Sequence, residues 1–142
     1  MNKKSFPTPL LIFILIILVF QVIANYFYWY WRIWWFDMPM HFAGGLWVGL
    51  SVLWFVFLSG RFKGNIQQNA LSIFTVGVFS VLTIAILWEV FEYIVQILFP
   101  RGTPYDILDT AIDIFWGLTG GTIASFSFSR ERYNENQEAR RL

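Results

Sequence analysis

Four long runs of apolar residues, separated by short segments rich in polar residues, glycine or proline, are the main pattern along the chain. The runs cover residues 10–31, 38–58, 71–99 and 107–128. A helix needs about 20 apolar residues to cross a hydrocarbon core about 30 Å thick, and each run reaches that length. The pattern predicts an all-α, polytopic membrane protein with four transmembrane helices in a compact bundle. In this interpretation residues 1–142 form a single domain that ends in a short cytoplasmic tail, 129–142.

Basic residues predict how these spans are oriented. Most of them fall on one side of a four-span arrangement: Lys3, Lys4, Arg61, Lys63, Arg130, Arg132, Arg140 and Arg141. Only Arg32 and Arg101 fall on the other side. Cytoplasmic segments of membrane proteins carry an excess of Lys and Arg, so both termini are predicted to be cytoplasmic. The expected location is the bacterial inner (plasma) membrane, with the aromatic run 26–31 forming a belt at the outer interface.

Composition supports the membrane assignment and narrows the chemistry. The 142 residues are 57% hydrophobic and 13% charged, with a mean hydropathy of +0.56, which is high for a water-soluble domain. A formal net charge of +1 without a basic patch argues against a nucleic-acid partner. The absence of cysteine excludes disulfides, thiolate metal ligands and cysteine nucleophiles.

Acidic residues at the outer ends of the predicted spans are the candidate chemistry. They form three stripes, because residues three or four apart share a helix face. The stripes are Asp37 with His41, Glu89 with Glu92, and Asp106 with Asp109 and Asp113. Each stripe is expected to point into the bundle at one membrane depth, so that Asp37, His41, Glu89, Glu92, Asp109 and Asp113 surround one pocket.

Two interpretations explain several carboxylates inside a membrane. A charge at mid-membrane costs at least about 2.5 to 3.5 kcal/mol, so the group must be neutralised by protons, by ion pairs or by a metal. The first interpretation is a network of partly protonated, hydrogen-bonded carboxylates. The second is a site for a hard divalent cation, Mg²⁺, Mn²⁺ or Ca²⁺, with Asp109 and Asp113 as main ligands and Glu89, Glu92 and Asp106 beside them. A single histidine and no cysteine fit a di-iron or structural zinc site poorly.

Small residues continue the polar stripes. Gly45-x-x-x-Gly49 and Gly117-x-x-x-Gly121 have the spacing that lets membrane helices approach closely. The spacing predicts tight packing within the bundle. It is a weaker indication of a homo-oligomer.

Four short motifs follow one another along the chain: Asp37-x-x-x-His41-Phe42, Glu92-x-x-x-Gln96, Pro100-Arg101 and Asp109-x-x-x-Asp113. Their order resembles that of the VanZ-like membrane proteins and the related YjdF-type proteins. Met38 stands where VanZ-like chains commonly have Lys, and Asp113 where they commonly have Asn. Glu89 and Asp113 bring the chain nearer to the YjdF type. The resemblance implies a small polytopic protein of the bacterial envelope, with a glycopeptide-tolerance link for some VanZ members.

Two functions remain open from the sequence. In the first, the protein is a binding or accessory protein whose pocket holds a cation together with an envelope lipid or a phosphate head group. In the second, it is a metal-dependent enzyme acting on a lipid- or prenyl-linked phosphate, with His41 and Asp37 as catalytic residues. The inner half of the bundle has almost no ionisable residues, so a pocket open to the outer side fits better than a path through the membrane. Membrane lipids are the expected partners in either case.

Overall fold

The computed structural model describes residues 4–61, 69–99 and 106–139. These residues form five helices: α1 (Thr8–Tyr26), α2 (Trp29–Arg32), α3 (Asp37–Phe57), α4 (Ala70–Leu98) and α5 (Ile107–Ala139). The all-α prediction is confirmed for this part of the chain. Five of the basic residues used to orient the spans, Lys3, Lys63, Arg101, Arg140 and Arg141, lie outside the described residues.

Three of the described helices, α1, α3 and α4, are long and apolar enough to cross a membrane. Helix α5 contains the fourth predicted span but is not among them. Two carboxylates, Asp109 and Asp113, and many Gly, Thr and Ser residues lower its hydropathy. The same helix continues to Ala139, so the segment predicted as a tail is helical through that residue.

The first predicted span differs from the structure at its C-terminal end. The apolar run suggested one helix to position 31, but α1 ends at Tyr26. Tyr28 then adopts the left-handed conformation, with φ 59°, and the short α2 follows. A non-glycine residue in this region interrupts a right-handed helix, and after the break the Tyr30 hydroxyl meets Gln21 of α1, whereas Trp31, Trp34 and Trp35 are exposed.

Helices α3, α4 and α5 form the packed part of the molecule, and glycines set the distance between α3 and α5. A Cβ atom added at Gly45 would overlap the backbone carbonyl of Gly117, and one at Gly120 would overlap the carbonyl of Phe42. A Cβ at Gly49 would lie 2.8 Å from the Cβ of Ala124. These contacts confirm the tight packing predicted from the glycine spacing.

Helix α1 lies against α3 at the edge of this group. Near its start, the indole N–H of Trp47 donates a hydrogen bond of 2.8 Å to the Leu10 carbonyl oxygen, and Phe6 packs edge-on against Trp54. Ala24 is the only residue of α1 that is fully buried. The large apolar side chains on its other face are exposed, as expected for a helix that faces hydrocarbon.

Candidate functional site

Polar side chains from α3, α4 and α5 meet in one layer of the bundle. Asp37 and His41 lie in the first turns of α3, and Asp113 lies in the second turn of α5. Glu89 and Glu92 lie near the end of α4, which brings them to the same layer because α4 returns from the opposite end of α3.

The first group joins α3 to α5. His41 Nε2 lies 3.3 Å from Asp37 Oδ1, one helical turn away, and 3.8 Å from Asp113 Oδ1. One ligand atom from each of the three residues lies within 4.8 Å of the other two. The group therefore offers two carboxylate oxygens and one imidazole nitrogen at a spacing that one metal ion spans.

The second group joins α3 to α4 through the same histidine. His41, Glu89 and Glu92 also place one ligand atom each within 4.8 Å of one another. Glu89 is buried and accepts a hydrogen bond from Thr110 of α5. Glu92 is exposed and accepts a hydrogen bond from the indole N–H of Trp88. His41 is thus shared by two overlapping groups that contain four carboxylates in total.

The Asp113 carboxylate is the most deeply enclosed acid of the site. Only 3% of the residue is exposed, and its Oδ1 atom has no hydrogen-bond partner among the described residues. Leaving a buried carboxylate oxygen unsatisfied is costly, and the cost is larger if the group is charged. The oxygen faces His41 at 3.8 Å, which is beyond hydrogen-bond distance.

Asp106 and Asp109, which the sequence placed in the same ligand set, are in neither group. Both residues are exposed. The Asp106 carboxylate accepts a hydrogen bond of 2.9 Å from the backbone N–H of Leu108, so it acts as the N-terminal cap of α5. Of the residues predicted to surround one pocket, the structure brings together Asp37, His41, Glu89, Glu92 and Asp113.

A cavity of about 400 Å³ opens beside the site, between α1, α3 and α4. Asp37, His41 and Glu92 border it at one end, together with Gln21 and Tyr30. The rest of its wall is apolar and includes Ile14, Trp47, Val48, Val81 and Ile84.

Gln21 and Tyr30 are site residues that the sequence analysis missed. The Tyr30 hydroxyl donates a hydrogen bond to Gln21 Oε1 and so links α2 to α1 at the polar end of the cavity. Burial raises the pKa of the Tyr30 phenol above its usual range, and the nearby Asp37 carboxylate adds to the rise. Gln21 is the only strongly polar residue in the middle of α1. This isolated position in an apolar helix is the sequence feature that could have identified it.

This donor set suits a hard cation better than a soft one. Carboxylate oxygens are preferred by Mg²⁺, Mn²⁺ and Ca²⁺, and four of the five candidate ligands in the two groups are carboxylates. Imidazole alone would favour zinc or copper, but a single histidine supplies one nitrogen at most to the ion. The arrangement is therefore chemically compatible with one divalent cation held among α3, α4 and α5.

Fold and composition define a helical membrane protein with an acidic and histidine-containing cluster inside its bundle. The chain belongs to the family described as predicted membrane protein (DUF2238), whose model matches residues 1–134. No curated protein and no solved structure matches it.

Proposed function

We propose that this protein is a four-span protein of the bacterial plasma membrane, with both termini in the cytoplasm, that binds a divalent cation within its bundle. The fourth crossing is the first part of α5. It packs along α3 and α4, two helices that are themselves apolar enough to span. Its two aspartates do not prevent insertion in this proposal, because Asp113 faces the bundle interior and Asp109 lies near the outer end.

The observation that carries the cation site is the buried Asp113 oxygen. No described residue donates a hydrogen bond to it, yet it lies in a group with His41 and Asp37 whose ligand atoms are close enough to surround one ion. A divalent cation at this point would satisfy the oxygen and offset the excess of negative charge. Glu89 and Glu92, on the other side of His41, would complete the coordination.

The function that follows best is binding, as an accessory protein of the envelope. His41 lies at the centre of both groups, where it serves equally as a ligand or as an acid and base. A catalytic role for His41 and Asp37 on a lipid-linked phosphate is the alternative. The likeness of the motifs to VanZ-like and YjdF-type proteins is part of this proposal, and the family match supports it only at the level of a membrane-protein family.

Thermal unfolding of the purified protein in mild detergent tests the cation site. A ligand that binds only the folded state stabilises it by about 2.7 kcal/mol at 100 times its dissociation constant. The unfolding temperature is expected to rise with Mg²⁺, Mn²⁺ or Ca²⁺ concentration and to fall on addition of a chelator. A response to none of the three cations would contradict the proposal and would favour the protonated network.

A further inference from the structure

The cavity beside the cation site has a polar end and an apolar end. Asp37, Glu92 and Tyr30 are at the polar end, which borders the site through His41. The rest of the cavity is lined by aliphatic side chains, among them Ile14 and Val48. A small water-soluble ligand would leave this apolar part unfilled, whereas an amphipathic ligand matches both ends.

The depth of the cavity matches one leaflet of a bilayer. On α3 the lining extends from Asp37 to Val48, and on α4 from Glu92 back to Val81. Eleven residues of helix rise about 16 Å. The hydrocarbon core is about 30 Å thick, so one leaflet contributes about half of that. The cavity therefore has room along its length for a hydrocarbon chain that begins at the outer interface and ends near the midplane.

The cavity is also accessible from the side of the bundle. Leu18 on α1 and Ile84 and Trp88 on α4 line it, yet each is about half exposed at the protein surface. In a membrane protein this surface faces lipid at the depth of these residues. A ligand with a hydrocarbon chain can thus enter between α1 and α4 directly from the surrounding leaflet.

We propose that the cavity binds one hydrocarbon chain of a phosphate-headed lipid, with the phosphate completing the coordination of the divalent cation. The phosphate part of this inference rests on the proposed cation site. Asp37 and Glu92 alone would repel an anionic head, but a bound divalent cation would offset their two negative charges and coordinate phosphate oxygens directly. The Tyr30 hydroxyl and the Gln21 amide lie at the same end, where they can contact the head group.

Gly44 provides a way to block the cavity without disturbing the packing. It lines the cavity, and an added Cβ would meet no atom within 4 Å. Gly44→Leu therefore fills the space that the chain would occupy while leaving every candidate cation ligand in place. Ala111→Leu, on the exposed side of α5, adds bulk outside the cavity and is the matched control. Ile84→Trp, at the exposed edge of the cavity, replaces Gly44→Leu if that variant does not fold.

The test is photo-crosslinking in dodecyl maltoside micelles, which contain no phosphate, with a dodecyl phosphate that carries a diazirine near the middle of its chain. With Mg²⁺ or Mn²⁺ present, labels are expected on cavity residues such as Val48 and Ile84. Labelling should fall at least fivefold with chelator and in Gly44→Leu, and should be unchanged in Ala111→Leu. The cation-dependent rise in unfolding temperature should persist in Gly44→Leu.

The cation site, the hydrocarbon chain and the phosphate head group are each contradicted by a different experimental result. If the wild type shows the cation-dependent thermal shift but no label in the cavity, the lipid inference is wrong and the cation site stands. If the thermal shift itself is missing, the proposed function fails. Equal labelling with cation and with chelator, or stronger labelling by a dodecyl ammonium probe than by the phosphate probe, would contradict recognition of a phosphate head group. Complete competition by an equal concentration of inorganic phosphate would show that the hydrocarbon chain contributes nothing.

Discussion

Replacing the Asp113 carboxylate by an amide distinguishes the two interpretations of the acidic cluster, the cation site and the protonated network. In Asp113→Asn the amide keeps the shape and one oxygen but removes the charge. A cation site is expected to lose most of its cation-dependent stabilisation in this variant, because a buried ligand has become neutral. A protonated network is expected to be unaffected or more stable, since the amide resembles the neutral acid. The measurement is the unfolding temperature of wild type and variant across a cation titration.

Asp109→Asn is the matched control on the same helix. Asp109 is exposed and belongs to neither group of ligand atoms, although the stripe pattern made it a main ligand. Its replacement is expected to leave the cation response unchanged. A variant that loses the response as completely as Asp113→Asn would restore the ligand set predicted from the sequence.

At the scale of the helices, two adjacent glycines of α3 should respond oppositely to alanine. Gly45 faces the backbone of Gly117, so the added methyl group forces α3 and α5 apart. We expect Gly45→Ala to lower the free energy of unfolding by about 1 to 3 kcal/mol, the usual cost of overpacking. Gly44 faces open space, and Gly44→Ala should stabilise the helix by about 0.5 to 1 kcal/mol.

Unfolding in detergent, followed by circular dichroism, measures both variants under the same conditions. The comparison is informative because the two substitutions have the same chemistry and the same position along the bundle. Equal effects on stability would mean that α3 and α5 do not pack through Gly45, and the arrangement of the polar layer would then be wrong as well.

For the whole molecule, the number of crossings can be read from cysteine accessibility, because the chain has no cysteine of its own. Single cysteines at Ser5, Trp34 and Asn134 report on the two ends and on the connection between α1 and α3; all three positions are exposed. With four crossings, an impermeant reagent added to intact cells should label Trp34→Cys and leave Ser5→Cys and Asn134→Cys unlabelled.

The pattern of the three labels separates the competing topologies. If α5 does not cross the membrane, Asn134→Cys lies on the same side as Trp34→Cys, and both react. If the orientation is reversed, Ser5→Cys and Asn134→Cys react and Trp34→Cys does not. Permeabilised cells, in which all three variants should react, provide the control for intrinsic reactivity.

Local sequence was sufficient for the bounds of α3 and α4 and for much of the polar layer. Length and hydropathy define spans directly, because the bilayer imposes one thickness on every crossing helix. The predicted span 38–58 agrees with α3, and the predicted span 71–99 agrees with α4, to within one residue at both ends. Helical periodicity likewise put Asp37 beside His41 and Glu89 beside Glu92, since residues three or four apart share a face whatever the rest of the chain does.

Tertiary structure alone decided which residues of different helices meet. The glycine contacts of Gly117 and Gly120 with α3 fix the rotation of α5, and this rotation turns the face of Asp113 into the bundle. Asp109 shares that face but lies one turn nearer the start of α5, where it is exposed. The break at Tyr28, which the apolar run concealed, turns Tyr30 toward Gln21. The cavity arises because α1 lies against α3 at the edge of the bundle. Periodicity describes one helix at a time, whereas these features depend on close packing between helices, which a single apolar pattern does not encode.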